Sequence, residues 1–243
     1  MYYVKGGLLH ELTPDPKSGL ARSDIVISEI TGIVQFCVGK TIISVVDKNN
    51  QLWVINKEDY SSRQIQDFDD VTYSYALDDG DVLAAKANGS IYTIDVIKSK
   101  WIDFTQSDWE IAKICGEHLL DTCGKVYNWQ TWKLIETRLP AINIENYSNY
   151  LCITLEDGST CWPYPMPPVR KNVLTDGMSQ SEKWDDSVLY CCALPGLARA
   201  KLHHDGTLVI SGWNKEDLVI QNVDCISGQP IHPQSQLKSA RNI

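Results

Sequence analysis

Cysteine and histidine residues, which can bind a metal ion, occur close together at one point of the sequence. Cys115, His118 and Cys123 lie within nine residues of one another, and thiolate and imidazole are the ligands that zinc prefers. The stretch contains no C-x-x-C pair, so its spacing does not match a zinc site. We therefore expect no metal site and no cofactor.

A second group, His203-His204-Asp205, has the residue types of a catalytic base and its orienting carboxylate. Alternation along a strand places the two imidazoles on opposite faces of a sheet, where they cannot share one metal or form one dyad. The chain also lacks the sequence motifs of serine hydrolases, zinc proteases, nucleotide-binding P-loops and dinucleotide-binding turns. These absences favour a protein that is not an enzyme.

Acidic residues cluster between positions 67 and 81, where six aspartates occur without a lysine or arginine. Such a run is typical of a solvated loop, and it also suits an electropositive partner that is steered onto an acidic surface. Asp78-Asp79-Gly80-Asp81 does not have the spacing of a twelve-residue calcium loop. The candidate partner-binding residues of this run are Asp67, Asp69, Asp70, Asp79 and Asp81.

A proline-rich stretch covers residues 162–184, WPYPMPPVRKNVLTDGMSQSEKW. Its prolines exclude a central strand and favour extended backbone, which predicts an inserted loop. Tyr164, Arg170 and Trp184 have the composition of interface anchors. The alternative interpretation is a tolerated insertion on the rim of the fold.

The elements that would position these groups repeat along the chain. Six turns centred on glycine or asparagine are flanked by alternating apolar residues, and successive turns are 43, 39, 35, 34 and 48 residues apart. Gly and Asn reach positive φ at low cost, so each turn predicts a β-hairpin. An apolar segment that predicts one more strand precedes all but the first. The turn residues are Gly7, Asn50, Gly89, Gly124, Gly158 and Gly206.

The two ends of the chain are complementary halves of this repeat. Met1–Leu12 is a hairpin without its preceding strand, and Val219–Gly228 is a strand without its hairpin. We expect the two to pair and to close a ring of antiparallel sheets, because closure leaves only short, protected edges. The prediction is an all-β fold, a β-propeller of about six four-stranded blades that forms a single domain over residues 1–243, with 162–184 inserted between blades.

The repeat resembles that of the regulator of chromosome condensation family, whose pattern runs roughly V-x-C-G-x-H, a hydrophobic strand, then D-G-x-V-Y-x-W-G. Ile114-Cys-Gly-Glu-His118 with Gly124-Lys-Val-Tyr-Asn-Trp129 carries most of the likeness. Phe36-Cys-Val-Gly39 with Gln51-Leu-Trp53, and His204-Asp-Gly206 with Gly212-Trp-Asn214, match in part. Most units lack the Trp-Gly pair. The family usually has seven blades, so seven stays open beside six.

Cysteines recur with the repeat. Cys37, Cys115 and Cys225 are assigned to one repeat position, and Cys191 or Cys192 to the same position in another unit. A residue that recurs in register is typical of small buried packing residues. This interpretation is favoured over disulfides or a reactive thiol.

Bulk properties exclude several partners. The net charge of −9 disfavours binding to a phosphate backbone. No apolar run reaches the 18 or so residues of a membrane-spanning helix, and Met1-Tyr-Tyr-Val-Lys5 lacks the apolar core of a signal peptide. We expect a cytoplasmic monomer that binds neither nucleic acid nor membrane.

Two functions follow from the resemblance. The family includes the propeller-type β-lactamase inhibitory protein, which implies an inhibitor or immunity-type protein that masks a basic toxin or enzyme. Trp101, Trp109, Trp132 and Trp184 lie off the regular hairpin positions and are candidate contacts for such a partner. The alternative is a guanine-nucleotide exchange factor or effector that acts on a small GTPase. A hydrolase or lyase with its site in a central channel also stays open, since the sequence does not show which side chains line one.

Overall fold

The computed structural model describes residues 1–14, 21–98, 100–106, 110–147, 150–157, 159–161, 188–193, 199–212 and 217–227. These residues form β-strands and turns, and none of them is helical. Over the same residues there is accordingly no helix with the length and apolarity needed to cross a bilayer. The strands, in chain order, are β1 (Tyr2–Lys5), β2 (Leu8–Pro14), β3 (Ala21–Val26), β4 (Ile33–Val38), β5 (Ile42–Asp47), β6 (Leu52–Asn56), β7 (Ser62–Gln64), β8 (Val71–Ala76), β9 (Val82–Lys86), β10 (Ser90–Asp95), β11 (Lys100–Gln106), β12 (Ile111–Cys115), β13 (His118–Asp121), β14 (Val126–Asn128), β15 (Lys133–Ile135), β16 (Ala141–Tyr147), β17 (Tyr150–Leu155), β18 (Thr160–Cys161), β19 (Val188–Ala193), β20 (Arg199–His203), β21 (Leu208–Ser211), β22 (Leu218–Ile220) and β23 (Val223–Ile226).

The strands form six antiparallel sheets, which we label A to F. Sheet A has the order β23-β1-β2-β3, and the other five follow the chain as β4–β7 (B), β8–β11 (C), β12–β15 (D), β16–β18 (E) and β19–β22 (F). The predicted pairing of the two ends is present, because Val4 lies opposite Cys225 and Tyr3 opposite Ile226. Sheet E has three described strands, one fewer than predicted, and its chain continues into residues 162–187, which lie outside the described part.

The turn between the second and third strand of each sheet lies at one end, which we call the glycine-turn end. Gly6 and Gly7 have φ of 60° and 72° and join β1 to β2, as a two-residue type I′ turn requires. Between β5 and β6, Asp47 Oδ1 accepts the backbone N–H groups of Asn49 (2.8 Å) and Gln51 (3.0 Å). The other end, here the distal end, carries the turns between first and second strands, such as 39–41, 77–81 and 116–117.

One backbone hydrogen bond joins successive sheets at the glycine-turn end. The carbonyl of the turn residue accepts the N–H of the first residue of the next sheet's first strand. The bonds are Ile33 to Gly7 (3.1 Å), Val71 to Asn50 (2.9 Å), Ala141 to Gly124 (2.8 Å) and Val223 to Gly206 (2.9 Å). The last of these joins sheet F to sheet A, so β23 is held by the same contact as the first strands of sheets B, C and E.

The first strand of every sheet contains a β-bulge at its second residue. In β4, Ile33 pairs with Asp47 and Gln35 with Val46, so Val34 is the extra residue. The same shift occurs in β8, β12, β16, β19 and β23. A bulge bends its strand and increases the local twist, and the shared position gives all six sheets the same shape at this edge.

Buried polar side chains join the first strands. The Gln35 amide donates to the Ser74 carbonyl (3.0 Å) and accepts the Ser74 N–H (3.0 Å), which links β4 to β8. Lys113, only 3% exposed, donates to Asn143 Oδ1 (2.9 Å) and links β12 to β16. Buried polar groups are stable only when paired, so these contacts fix how neighbouring first strands lie.

Apolar cores fill the spaces between neighbouring sheets. Five separate clusters pack between sheets A and B, B and C, C and D, D and E, and F and A. Tyr3, Leu12 and Ile226 of sheet A, for example, pack with Leu202 and Leu208 of sheet F. Burial of one such side chain contributes about 1.5–3 kcal/mol, so the core at this junction holds the final strand in place.

The structure corrects one assignment of the cysteines. Cys37 pairs with Ser44 and Cys115 with His118, which are equivalent positions, and Cys192 lies at the same position of sheet F. Cys225 pairs with Val4 and therefore corresponds to Gln35, two residues earlier in the strand. Burial raises the pKa of Cys37 to about 11 and that of Cys225 to about 12, so both thiols are protonated at neutral pH.

Candidate partner-binding surface

The structure divides the acidic run into two groups at opposite ends of β8. Asp67, Asp69 and Asp70 precede the strand at the glycine-turn end, whereas Asp79 and Asp81 follow it at the distal end. A six-residue strand is about 20 Å long. The single acidic surface expected from the sequence is therefore wrong, because residues close in sequence are separated by an extended strand.

The group at the glycine-turn end is partly neutralised by a lysine. Lys86 Nζ lies 3.5 Å from the Asp69 carboxylate and is 5.1 Å and 5.7 Å from the ring centroids of Phe68 and Tyr92. These two rings meet edge to face at 4.9 Å, and Phe68 is buried. Cation–π contacts of this kind contribute about 0.5–2 kcal/mol. The arrangement suits a structural role at the edge of sheet C.

Asp67 and Asp70 in this group have left-handed backbone, with φ of 61° and 59°. Asp is among the few residues other than Gly that tolerate this region. Both residues lie where the chain turns between β7 and β8. The backbone geometry of this turn therefore explains part of the acidic run, and no binding partner is needed to explain it.

The group at the distal end is differently arranged. Asp79 Oδ1 accepts the Asp81 N–H (3.1 Å), and Asp81 Oδ1 accepts the Val96 N–H (3.4 Å). Burial raises the pKa of Asp81, the charges of Asp79 and Asp95 act in the same direction, and Lys98 opposes them. Lys98 itself lies 2.7 Å from the Asp95 carboxylate. Negative charge is thus concentrated here around a half-buried carboxylate.

Aromatic side chains lie beside this distal group. Tyr75 and Leu77 of sheet C, with Trp129 and Trp132 of sheet D, are half-buried and pack on the core between the two sheets. Gly116 contacts one of these side chains directly, because the Trp129 Nε1–H donates to the Gly116 carbonyl (2.8 Å). Burial raises the pKa of Tyr75, the nearby thiols of Cys115 and Cys37 act in the same direction, and a hydrogen bond from the Gly116 backbone opposes them.

Asp78 and Asp79 are exposed and follow Leu77 directly, and the charge of Asp78 also raises the pKa of Tyr75. Half-buried aromatic side chains held by hydrogen bonds lose little conformational entropy on binding, and such residues dominate protein interfaces. We call this set the aromatic–acidic surface. Its members are Tyr75, Leu77, Asp78, Asp79, Trp129 and Trp132.

The predicted contact residues are therefore only partly brought together. Asp79 and Trp132 belong to the aromatic–acidic surface and the Asp81 N–H donates to Asp79 Oδ1, whereas Asp67, Asp69 and Asp70 lie at the other end. Tyr164, Arg170 and Trp184, and the predicted insertion 162–184, lie outside the described residues. Tyr75 and Trp129 are not among the contact residues that the sequence predicts. Trp129 matches the repeat pattern, and its partial exposure is a property that the pattern does not show.

The metal-ligand candidates do not converge. His118 lies opposite Cys115 at the distal end of sheet D, and Cys123 lies in the turn at the glycine-turn end. No group of three or more His, Cys, Asp or Glu side chains within the described ranges has the geometry of a metal site. His203 ends β20, and His204 lies in the turn that follows. In that turn the Thr207 N–H donates to Asp205 Oδ1 (2.8 Å).

Neither the models of known protein families nor the curated proteins give a match to this chain.

Proposed function

We propose that the six sheets are the blades of one β-propeller of the regulator of chromosome condensation type. Support comes from the five apolar junctions, the shared bulge and the four glycine-turn hydrogen bonds, one of which joins sheet F to sheet A. A junction between sheets E and F would complete the ring. A compact chain of this length has a radius of gyration of about 18 Å. Small-angle scattering that gives a markedly larger value would contradict a closed ring.

The propeller acts as a protein-binding module, of the inhibitor or immunity type, that masks a basic partner. The observation that carries this proposal is the aromatic–acidic surface, where Trp129, Trp132 and Tyr75 supply rigid apolar area and Asp78 and Asp79 supply charge. Aromatic residues are enriched at interface cores, and charge complementarity steers association and selects the partner. Binding of this kind needs no catalytic group.

The experiment is affinity capture of the tagged chain from its native lysate at 50 mM and at 500 mM NaCl, followed by the affinity of the purified complex. We expect a stoichiometric basic protein whose binding weakens at the higher salt, because exposed charges are screened over a few ångströms there. Asp78→Lys should lower the affinity about tenfold or more. Glu29→Lys, the same charge reversal at an exposed site of the glycine-turn end, should change it less than threefold.

Loss of binding in both variants would indicate a response to net charge rather than to this surface. The captured partner's own activity then separates the two functions that the family resemblance implies. An inhibitor abolishes that activity at one equivalent. An exchange factor would instead capture a small GTPase and accelerate release of its fluorescent GDP.

A further inference from the structure

The distal end carries a second cluster of aromatic and charged side chains, between sheets A and B. The Tyr60 hydroxyl donates to Glu11 Oε2 across the junction of the two sheets. Tyr2 also hydrogen-bonds to Glu11, and its ring lies 5.9 Å from Lys57 Nζ. One carboxylate is thus held by two tyrosine hydroxyls beside a cation. We call Tyr2, Glu11, Lys57 and Tyr60 the tyrosine subsite.

The tyrosine subsite is connected to the aromatic–acidic surface by direct contacts. Lys57 Nζ donates to the Gly39 carbonyl (3.0 Å). Gly39 approaches sheet C so closely that a Cβ at this position would lie 2.8 Å from the Cβ of Ala76. Ala76 precedes Leu77, a member of the aromatic–acidic surface. Sheets A to D therefore present one continuous arc, half-buried and aromatic at both of its ends.

The glycine-turn end differs in the composition of its turns. The second-to-third-strand turns in the described part of the chain contain no Phe, Tyr or Trp. Phe68, which precedes β8 at that end, is buried beneath Lys86. Two strand residues near this end, Trp53 and Tyr92, are half-buried, and each already contacts a charged side chain: Trp53 Nε1 donates to Asp47 (3.0 Å), and the Tyr92 ring lies 5.7 Å from Lys86 Nζ. Among the turns that the structure describes, half-exposed aromatic side chains lie at the distal end.

Charge at the arc indicates what binds there. Exposed carboxylates border it from sheet B to sheet D and outnumber the exposed lysines of this end, among them Lys40, Lys98 and Lys133, of which Lys98 is paired with Asp95. An arginine suits both parts of such a surface, because its planar guanidinium stacks on aromatic rings and pairs with carboxylates. The bordering carboxylates are Glu58, Asp59, Asp78, Asp79 and Glu117.

We infer that the distal end of sheets A to D is one docking surface for a protein face that presents arginine beside apolar side chains, and that the glycine-turn end is not a docking surface. The inference rests on the proposed protein-binding function and adds to it the end of the fold, the extent of the footprint and the chemistry of the partner.

The test uses a phage-displayed library of random dodecapeptides selected on the full wild-type chain. Peptides that bind should be enriched in Arg together with Trp, Leu or Phe. Labelled peptides are then titrated against Trp132→Ala and Tyr60→Ala, and against His204→Ala and Asn49→Ala, which alter exposed turn residues at the glycine-turn end. Thermal unfolding of each variant confirms that it is folded, and Trp132→Phe and Tyr60→Phe provide conservative replacements where an alanine variant is not.

We expect each distal-end alanine substitution to weaken binding about tenfold, the size of a hot-spot residue, and each glycine-turn substitution to change it less than twofold. The inference is overturned if selection yields no binder, if the peptides are acidic, or if the glycine-turn variants lose affinity instead. A lysate partner that binds while the peptides ignore both distal substitutions would remove this footprint and leave the proposed function standing. Peptides that follow the expected pattern, with no partner captured from the lysate, would support this footprint and contradict the proposed function.

Discussion

Alanine substitutions at three glycines measure two costs separately, the cost of left-handed backbone and the cost of a steric clash between sheets. Gly6 has φ of +60° and no atom within 4 Å of where a Cβ would lie. Gly39 is not left-handed, but its Cβ would lie 2.8 Å from the Cβ of Ala76. Gly124 combines both features, with φ of +83° and Pro140 Cβ at 2.7 Å. The set therefore contains a purely conformational case, a purely steric case and a combined one.

The expected losses in the free energy of unfolding follow from these geometries. Gly6→Ala costs about 1–2 kcal/mol, the penalty for an L-residue in the left-handed region. Gly39→Ala costs about 1–3 kcal/mol, the range for an extra methyl group in a packed site. Gly124→Ala should cost about 3–4 kcal/mol, because the turn and the next sheet both resist the methyl group.

Urea unfolding followed by tryptophan fluorescence gives the three values, since the midpoint shifts with stability at constant slope. A reciprocal substitution gives the sharpest check. Ala76→Gly removes the methyl group that a Cβ at Gly39 would meet, so Gly39→Ala with Ala76→Gly should be more stable than the sum of the single changes by about 1–2 kcal/mol. The reasoning is refuted if Gly6→Ala costs as much as Gly124→Ala, or if positions 39 and 76 do not couple.

Two further predictions concern buried groups. Burial lowers the pKa of His118, with Glu117 opposing the shift, so His118 contributes stability that is complete above about pH 6.5, the ordinary value, and falls as the pH drops through its lower folded pKa. His118→Gln should flatten urea-unfolding stability between pH 7 and pH 5, and an unchanged slope would contradict this role. Lys113→Met keeps the buried stem but leaves Asn143 Oδ1 without that donor and should cost about 1–3 kcal/mol, whereas Asn143→Ala withdraws an acceptor 2.9 Å from the buried ammonium and should cost about 3–5 kcal/mol. The double variant should recover most of that loss in the same assay, and equal losses in the two single variants would exclude the explanation.

The hairpins and the pairing of the chain's two ends were predictable, because they depend on local rules. Gly or Asn between alternating apolar runs fixes a turn, and the turns at Asn50 and Gly124 lie where the sequence predicts. The unpaired half-repeats at the two ends left β1 and β23 as each other's natural partners. Both inferences need only the period of a strand and the backbone preference of the turn residue.

Register and surface composition could not be predicted in the same way. The spacing from cysteine to the following glycine differs between Cys37-Val-Gly39 and Cys115-Gly116, so matching motifs does not fix which residues are equivalent, and Cys225 was misplaced by two residues. The prediction of a single acidic surface was wrong for another reason. Nearness in sequence implies nearness in space within a turn, but β8 lies between Asp70 and Asp79 and holds them a strand length apart.

The weakness of the repeat signal has a physical explanation in the junctions. The four bonds from a turn carbonyl to the next first strand use only backbone atoms, and the four turn residues share positive φ, so most side chains are left unspecified. The buried third position of the first strands is occupied by Gln35 in sheet B, Lys113 in sheet D and Asn143 in sheet E, whereas sheets C and A have Tyr73 and Cys225 there. The three polar side chains share only the presence of a hydrogen-bond partner, which lies on a neighbouring first strand for Gln35 and Lys113 and also on its own strand, at Glu145, for Asn143. Many sequences satisfy that condition, and this makes the repeated geometry more regular than the residues that produce it.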